Sequence, residues 1–167
     1  LHSASVMHWG MMTTVFALSH VAGLLTLPTE DSKSGALLVI FLVAATQIND
    51  IAQYLWGKGL GRIRVTPQVS PNKTLAGLLG GILTTTLLAG MVGPLLTPMG
   101  RGHCFAAGAI ISFSGFCGDV VMSAIKRDFG VKDSGRLLPG HGGILDRLDS
   151  MIYSGPLVFH FFSYFYH

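Results

Sequence analysis

Charge is what this sequence has least of. Asp, Glu, Lys and Arg make up 11% of its 167 residues, where a soluble domain carries about 25%. With 50% hydrophobic residues, that shortfall argues against a water-soluble globule and for a chain built into a membrane. The net charge of +3 is small, and nothing in it calls for a nucleic-acid partner. Cysteine is scarce too. Cys104 and Cys117 both sit in one apolar run. Their spacing fits neither a zinc site nor an obvious disulfide, so they are expected to be small buried thiols. There is no internal repeat, no low-complexity tract and no stretch that reads as a soluble domain. The first residue is Leu1, and no basic stretch precedes the first apolar run, so the beginning does not read as a signal peptide.

What the sequence has instead is long apolar runs, at roughly 9–27, 35–56, 75–96, 103–125 and 151–167. Most reach the ~20 residues that a helix needs to cross ~30 Å of hydrocarbon. Helices are the economical choice there, because lipid offers backbone groups no partners. The expected fold is therefore all-α: a polytopic membrane helix bundle with about five transmembrane helices, forming one membrane-embedded domain over residues 1–167. Gly, Ser and Thr recur inside the runs, as in "GLLGGILTTTLLAG", and such small residues let membrane helices pack closely. The last run is short and ends in "FHFFSYFYH", whose Tyr and His suit an interface belt.

The few charges are unevenly placed. Loop 57–74 holds Lys58, Arg62, Arg64 and Lys73, and loop 126–150 holds Lys126, Arg127, Lys132, Arg136 and Arg147. The other two loops hold one cation each, Lys33 and Arg101. Five spans put the two basic loops on one side, and the positive-inside rule makes that side cytoplasmic. Residue 1 then starts inside and His167 ends outside.

Three polar constellations stand out. In the second run, Gln47, Asp50, Gln53 and Tyr54 are spaced to share one helix face. An ionisable residue inside a membrane helix is a functional candidate by default. Next, "GKGLGRIRVTPQVSPNKT" alternates glycines with cations, and Ser70, Lys73 and Thr74 stand just before the third run. Gly-rich backbone, cations and a helix N-terminus together suit phosphate, although the pattern is not a Walker A loop. A topogenic basic loop lying on anionic lipid would look the same. Finally, Asp119, Ser123 and Lys126 share a face at the end of the fourth run, beside Arg127. The segment "KDSGRLLPGHGGILDRLD" follows and closes on Asp146 and Asp149. Carboxylates beside dense cations suit a divalent metal plus phosphate, whereas an ordinary charged loop would not need Asp119 inside the span.

Residues 123–149 resemble the signature of the phosphatidate cytidylyltransferase (CDP-diacylglycerol synthase) family. Ser123, Lys126, Arg127, Lys132, Asp133, Ser134, Pro139, His141, Gly142, Gly143, Asp146, Arg147 and Asp149 carry the resemblance. Upstream, Asn49, Asp50, Tyr54, Gly57, Lys58, Gly61, Pro67, Ser70, Pro71, Lys73, Thr74, Gly77, Gly80 and Gly81 are similar to the family's middle region. The family usually has Glu before the glycine that follows Ser-Pro-x-Lys-Thr, and Ala76 stands there in this chain. Its members are usually longer at the N-terminus, so a catalytic C-terminal portion lacking some helices is expected.

The resemblance implies the reaction CTP + phosphatidate → CDP-diacylglycerol + pyrophosphate, in phospholipid biosynthesis. It implies Lys126, Arg127, Asp146, Asp149 and His141 as catalytic residues, and Asp119, Asp146 and Asp149 as metal ligands. Ser70, Lys73, Thr74, Ser123, Arg147 and Asp50 are the candidates for holding substrate. The expected cofactor is Mg²⁺, with room for a second monovalent or divalent cation. The expected partners are CTP, phosphatidate and the bilayer, with a homo-oligomer left open. The expected location is the bacterial inner membrane, with the site facing the cytoplasm. The competing classes are a membrane nucleotidyl- or phosphotransferase acting on another lipid phosphate, an inactive lipid-binding relative, and an ion-coupled transporter using Asp50 and Asp119. A transporter more often carries inverted repeats, and none is visible.

Overall fold

The computed structural model describes residues 8, 10–27, 34–128, 130 and 145–166. Five helices account for most of them: α1 (Met12–Thr26), α2 (Ser34–Leu60), α3 (Leu75–Leu96), α4 (Arg101–Asp128) and α5 (Leu145–Tyr166). The all-α membrane bundle expected from the apolar runs is what forms. Three of the helices, Gly35–Leu60, Leu75–Leu96 and Arg101–Asp128, are long and apolar enough to cross a membrane. The shortest of these has 22 residues, about 33 Å at 1.5 Å per residue, which matches the hydrocarbon thickness. α1 is apolar but shorter, and it opens with a π-helical turn over Met12–Phe16. α5 is 22 residues long, but its first turns carry Asp146, Arg147 and Asp149.

The helices close into a ring in which each packs on its chain neighbours and α5 returns to α1. Leu24, Leu38, Phe41, Leu42, Ile111, Val158 and Phe162 fill the centre. Cys104 is buried against this core, Cys117 is half-buried, and both are free thiols. Two close approaches shape the half of the bundle that holds the polar residues. A Cβ on Gly81 of α3 would lie 2.5 Å from the Gln53 side chain of α2. A Cβ on Gly118 of α4 would lie 2.5 Å from the Asp149 carbonyl of α5. Only glycine allows these backbones so near their neighbours.

Loop 57–74 is not irregular throughout. It holds a short antiparallel hairpin, β1 (Arg64–Thr66) and β2 (Ser70–Thr74), with Arg64 opposite Thr74 and Thr66 opposite Ser70. The turn is a β-turn with Pro67 in its second position, where the ring pre-sets φ. The Val69 N–H donates to the Thr66 carbonyl at 3.3 Å. The Leu75 N–H donates to the Ile63 carbonyl at 2.9 Å, which fixes the hairpin to the start of α3. Thr74 caps that helix, its hydroxyl accepting from the Gly77 N–H at 3.1 Å.

Candidate active site

The hairpin, α2, α3 and α4 meet around a cavity of about 210 Å³ lined by Asp50, Gln53, Tyr54, Ser70, Asn72, Lys73, Thr74, Gly77, Leu78, Phe116 and Asp119. Each element delivers its polar groups for a local reason. Helical spacing puts Asp50, Gln53 and Tyr54 on one side of α2, whereas Gln47, one turn earlier, is exposed and outside the lining. The hairpin register carries Ser70, Lys73 and Thr74 to the mouth of α3. α4 brings Phe116 and Asp119.

The centre is an ion pair. Lys73 Nζ lies 2.8 Å from Asp119 Oδ2, with both side chains mostly buried, and 4.8 Å from the centre of the Phe116 ring. The aromatic face adds a cation–π contact to the charge pair. Asp149, at the start of α5, stands close enough to Asp119 for the two carboxylates to repel, and Lys126 offsets part of that charge. Gly118 permits this by letting the α5 backbone approach α4 beside Asp119. Asp50 completes the group. Its Oδ2 accepts from Ser150 Oγ at 3.5 Å, while its Oδ1 is buried with no hydrogen-bond partner among the described residues. Gln53 Nε2 is in the same condition.

A fully buried knot lies under this group. Asn49 Oδ1 accepts from Ser112 Oγ and, at 3.4 Å, from Thr85 Oγ1, and Asn49 Nδ2 donates to the Ser112 carbonyl at 3.4 Å. This ties α2, α3 and α4 together one residue away from Asp50. Asn49 was visible in the sequence as part of the middle region, but its partners, 36 and 63 residues away, were not. Gly118 and Ser150 carried no sequence signal beyond being small.

The remaining expected residues divide. Ser123 is half-buried and does not line the cavity. Lys126 is half-buried near Asp149, and Arg127 is exposed at the end of α4. Asp146 and Arg147 stand in the first turn of α5, and their side chains lie outside the described residues, as does His141. The arrangement suits a hard divalent cation. No three acidic, His or Cys side chains among the described residues stand close enough to hold one unaided. Mg²⁺ does not require three, since it is commonly held by one or two carboxylates plus substrate phosphates. Asp119 and Asp149 are the carboxylates that could supply such a pair, and Asp50 lines the same cavity as Asp119.

Comparison with known proteins bears on the chemistry. A family model described as "Cytidylyltransferase family" matches residues 1–165. The "Uncharacterized protein YnbB" of Escherichia coli is 60% identical over 164 residues, covering 98% of this chain and 55% of that protein. A phosphatidate cytidylyltransferase of Brucella suis is 38% identical over 141 residues, covering 84% of this chain and 52% of that protein. One of Synechocystis is 42% identical over 134 residues, covering 79% and 45%. The chain thus spans about half the length of the curated relatives it matches.

Proposed function

The chain belongs to the cytidylyltransferase family, and from that premise we propose that the full-length protein is an integral membrane phosphatidate cytidylyltransferase. It joins CTP and phosphatidate to give CDP-diacylglycerol and pyrophosphate. The observation that carries this is one cavity in which Lys73, Asp50 and Asp119 converge from three separate elements at the ends of membrane spans, with Asp149 against Asp119.

In this reaction a phosphate oxygen of the lipid attacks the α-phosphorus of CTP. A new O–P bond forms, the bond from the α-phosphorus to the bridging oxygen breaks, and its electron pair leaves on pyrophosphate. The chemistry is mainly positioning and charge neutralisation. Lys73 starts on Asp119 and turns its ammonium to the substrate phosphates as they enter. Lys126 approaches the same centre from the end of α4. Ser70 offers a hydroxyl to phosphate oxygens, and Phe116 keeps the Lys73 charge off water. Asp119 and Asp149, with Asp146 at the start of α5, are the residues for Mg²⁺, which supplies charge neutralisation on the phosphates when bound. Leu78 and Tyr54 give the cavity an apolar edge suited to a lipid.

The site faces the cytoplasm on this proposal. The basic loops carry nine cations, against two on the opposite side, and CTP is found in the cytoplasm. A cysteine placed at exposed Asn72 should react with an impermeant thiol reagent only from the cytoplasmic side. For the reaction itself, the test is the fate of label in CTP. With membranes holding the full-length protein, phosphatidate and Mg²⁺, an α-phosphate label should enter the lipid and a γ-phosphate label should enter pyrophosphate. Transfer of the γ label to lipid would mean a kinase instead. Transfer of the α label only to isoprenoid phosphates would replace the acceptor.

A further inference from the structure

The hairpin carries charge that the cavity does not use. Arg62 and Arg64 are exposed, fall outside the cavity lining and have no acidic partner among the described residues. Lys58, in the last turn of α2, lies over the ring of Tyr54, 5.7 Å from its centre. Leu60, Ile63 and Val65 are interleaved with these cations and are exposed to 63%, 64% and 37%. Basic and apolar residues thus alternate along a segment joining the ends of two helices long and apolar enough to cross a membrane.

The segment is coupled to the cavity by its hydrogen bonds. Arg64 pairs in register with Thr74, and β2 supplies Ser70, Asn72, Lys73 and Thr74 to the lining while β1 supplies none. One strand therefore faces the cavity, while the other, with the turn that leads into it, presents Arg62, Ile63, Arg64 and Val65, whose guanidinium groups have no acidic partner among the described residues.

We infer that Lys58, Arg62 and Arg64 form a rim that captures the anionic headgroup of a leaflet phospholipid and presents its phosphate to the cavity. This rests on the lipid-phosphate substrate proposed above. The occupant is a lipid and not the nucleotide, because Leu60, Ile63 and Val65 need an apolar neighbour. The glycerol and upper acyl region of a phospholipid provides one, and a free nucleotide does not. Cations at a membrane surface draw anionic lipid to themselves, whether they are guanidinium or ammonium groups.

The test is surface-dilution kinetics of the full-length protein in mixed micelles, with phosphatidate varied as a mole fraction of neutral detergent. R62Q/R64Q should raise the KM for phosphatidate mole fraction by about thirtyfold, the loss expected for two cations at an anionic surface. The KM for CTP and kcat at saturating lipid should stay unchanged. R62K/R64K should recover most of the loss, which a misfolded hairpin could not do. An unchanged lipid KM would overturn the rim, as would an equal rise in the CTP KM. Binding read apart from turnover separates this inference from the proposed reaction. In nanodiscs, the wild type should immobilise more spin-labelled phosphatidate than R62Q/R64Q even if no product forms, and equal immobilisation would refute the rim alone.

Discussion

Tyr166 and Asp50 stand toward opposite ends of the bundle, and their oxygens are treated differently. The Tyr166 hydroxyl accepts from the Gly100 N–H at 2.8 Å and meets His103 Nδ1 at 2.7 Å. Its ring stacks on Phe162. Asp50 Oδ1 is buried with no partner among the described residues, and so is Gln53 Nε2 beside it. An unsatisfied buried polar group costs on the order of 1–3 kcal/mol. The Tyr166 end removes that cost with its own hydrogen bonds and becomes a clasp between α4 and α5. The cavity end retains it, and there the missing partners are ones that a ligand can supply. The two ends thus differ in how their buried polar groups are met, and only the cavity end combines unmet groups with charge and open space.

The largest effect should come from the carboxylate at the centre of the cavity. Asp119→Asn keeps the shape but removes the charge that pairs with Lys73 and meets Asp149. Turnover should fall on the order of 1000-fold, with the melting temperature in detergent nearly unchanged. Near-wild-type turnover would break the comparison outright.

Lys73→Met comes next, with a fall on the order of 100-fold. Arginine should rescue poorly, because its planar fork cannot replace a compact ammonium over the Phe116 ring. The same methionine variant should bind Mn²⁺ more tightly in the absence of nucleotide, since no ammonium competes for Asp119. Titration followed by electron paramagnetic resonance reads this independently of activity. Lys126→Ala should also lose on the order of 100-fold in kcat, against a near-silent Lys→Arg if its only role is to anchor the loop to lipid.

Asn49→Leu sharpens the comparison, because it disturbs a satisfied cluster next to the unsatisfied one. The Thr85 and Ser112 hydroxyls lose their shared acceptor, so thermal stability should drop by about 1–2 kcal/mol. Turnover should fall with it as Asp50 shifts. The smallest effect belongs to the far end. Tyr166→Phe removes the clasp and should cost about 1 kcal/mol of stability, while leaving kcat and both KM values unchanged.

Much of this architecture is legible in the residues, and the remainder has physical reasons for staying hidden. The run 75–96 coincides with α3, because both of its ends are marked by polar or turn-forming residues. α2 and α4 extend past their apolar runs to Leu60 and Asp128, since a helix emerging from lipid can continue through polar residues. The hairpin was missed. Its strands are short, basic and exposed, so they lack the apolar alternation that marks a strand. Asp50 and Asp119 could be singled out because a carboxylate in an apolar run is expensive. Their grouping with Lys73 could not, because the Lys73–Asp119 pair spans 46 residues and exists only once the hairpin is placed against α4. Gly118 looks like any small residue in a membrane helix until the Asp149 carbonyl is found against it. Gln47 shows the limit of periodicity, which assigned it to the Asp50 face although it points away from the cavity.

The central claim, that the unsatisfied end of the bundle performs cytidylyl transfer, is tested most directly by one paired assay. Wild type, Asp119→Asn and Tyr166→Phe forms of the full-length protein, at matched membrane levels, are incubated with α-phosphate-labelled CTP, phosphatidate and Mg²⁺. The initial rate of label entering the lipid phase is then measured. Lipid-soluble cytidine product from wild type and Tyr166→Phe at equal rates, with almost none from Asp119→Asn, is the predicted result. Equal rates from all three, or loss in Tyr166→Phe with Asp119→Asn intact, would contradict it.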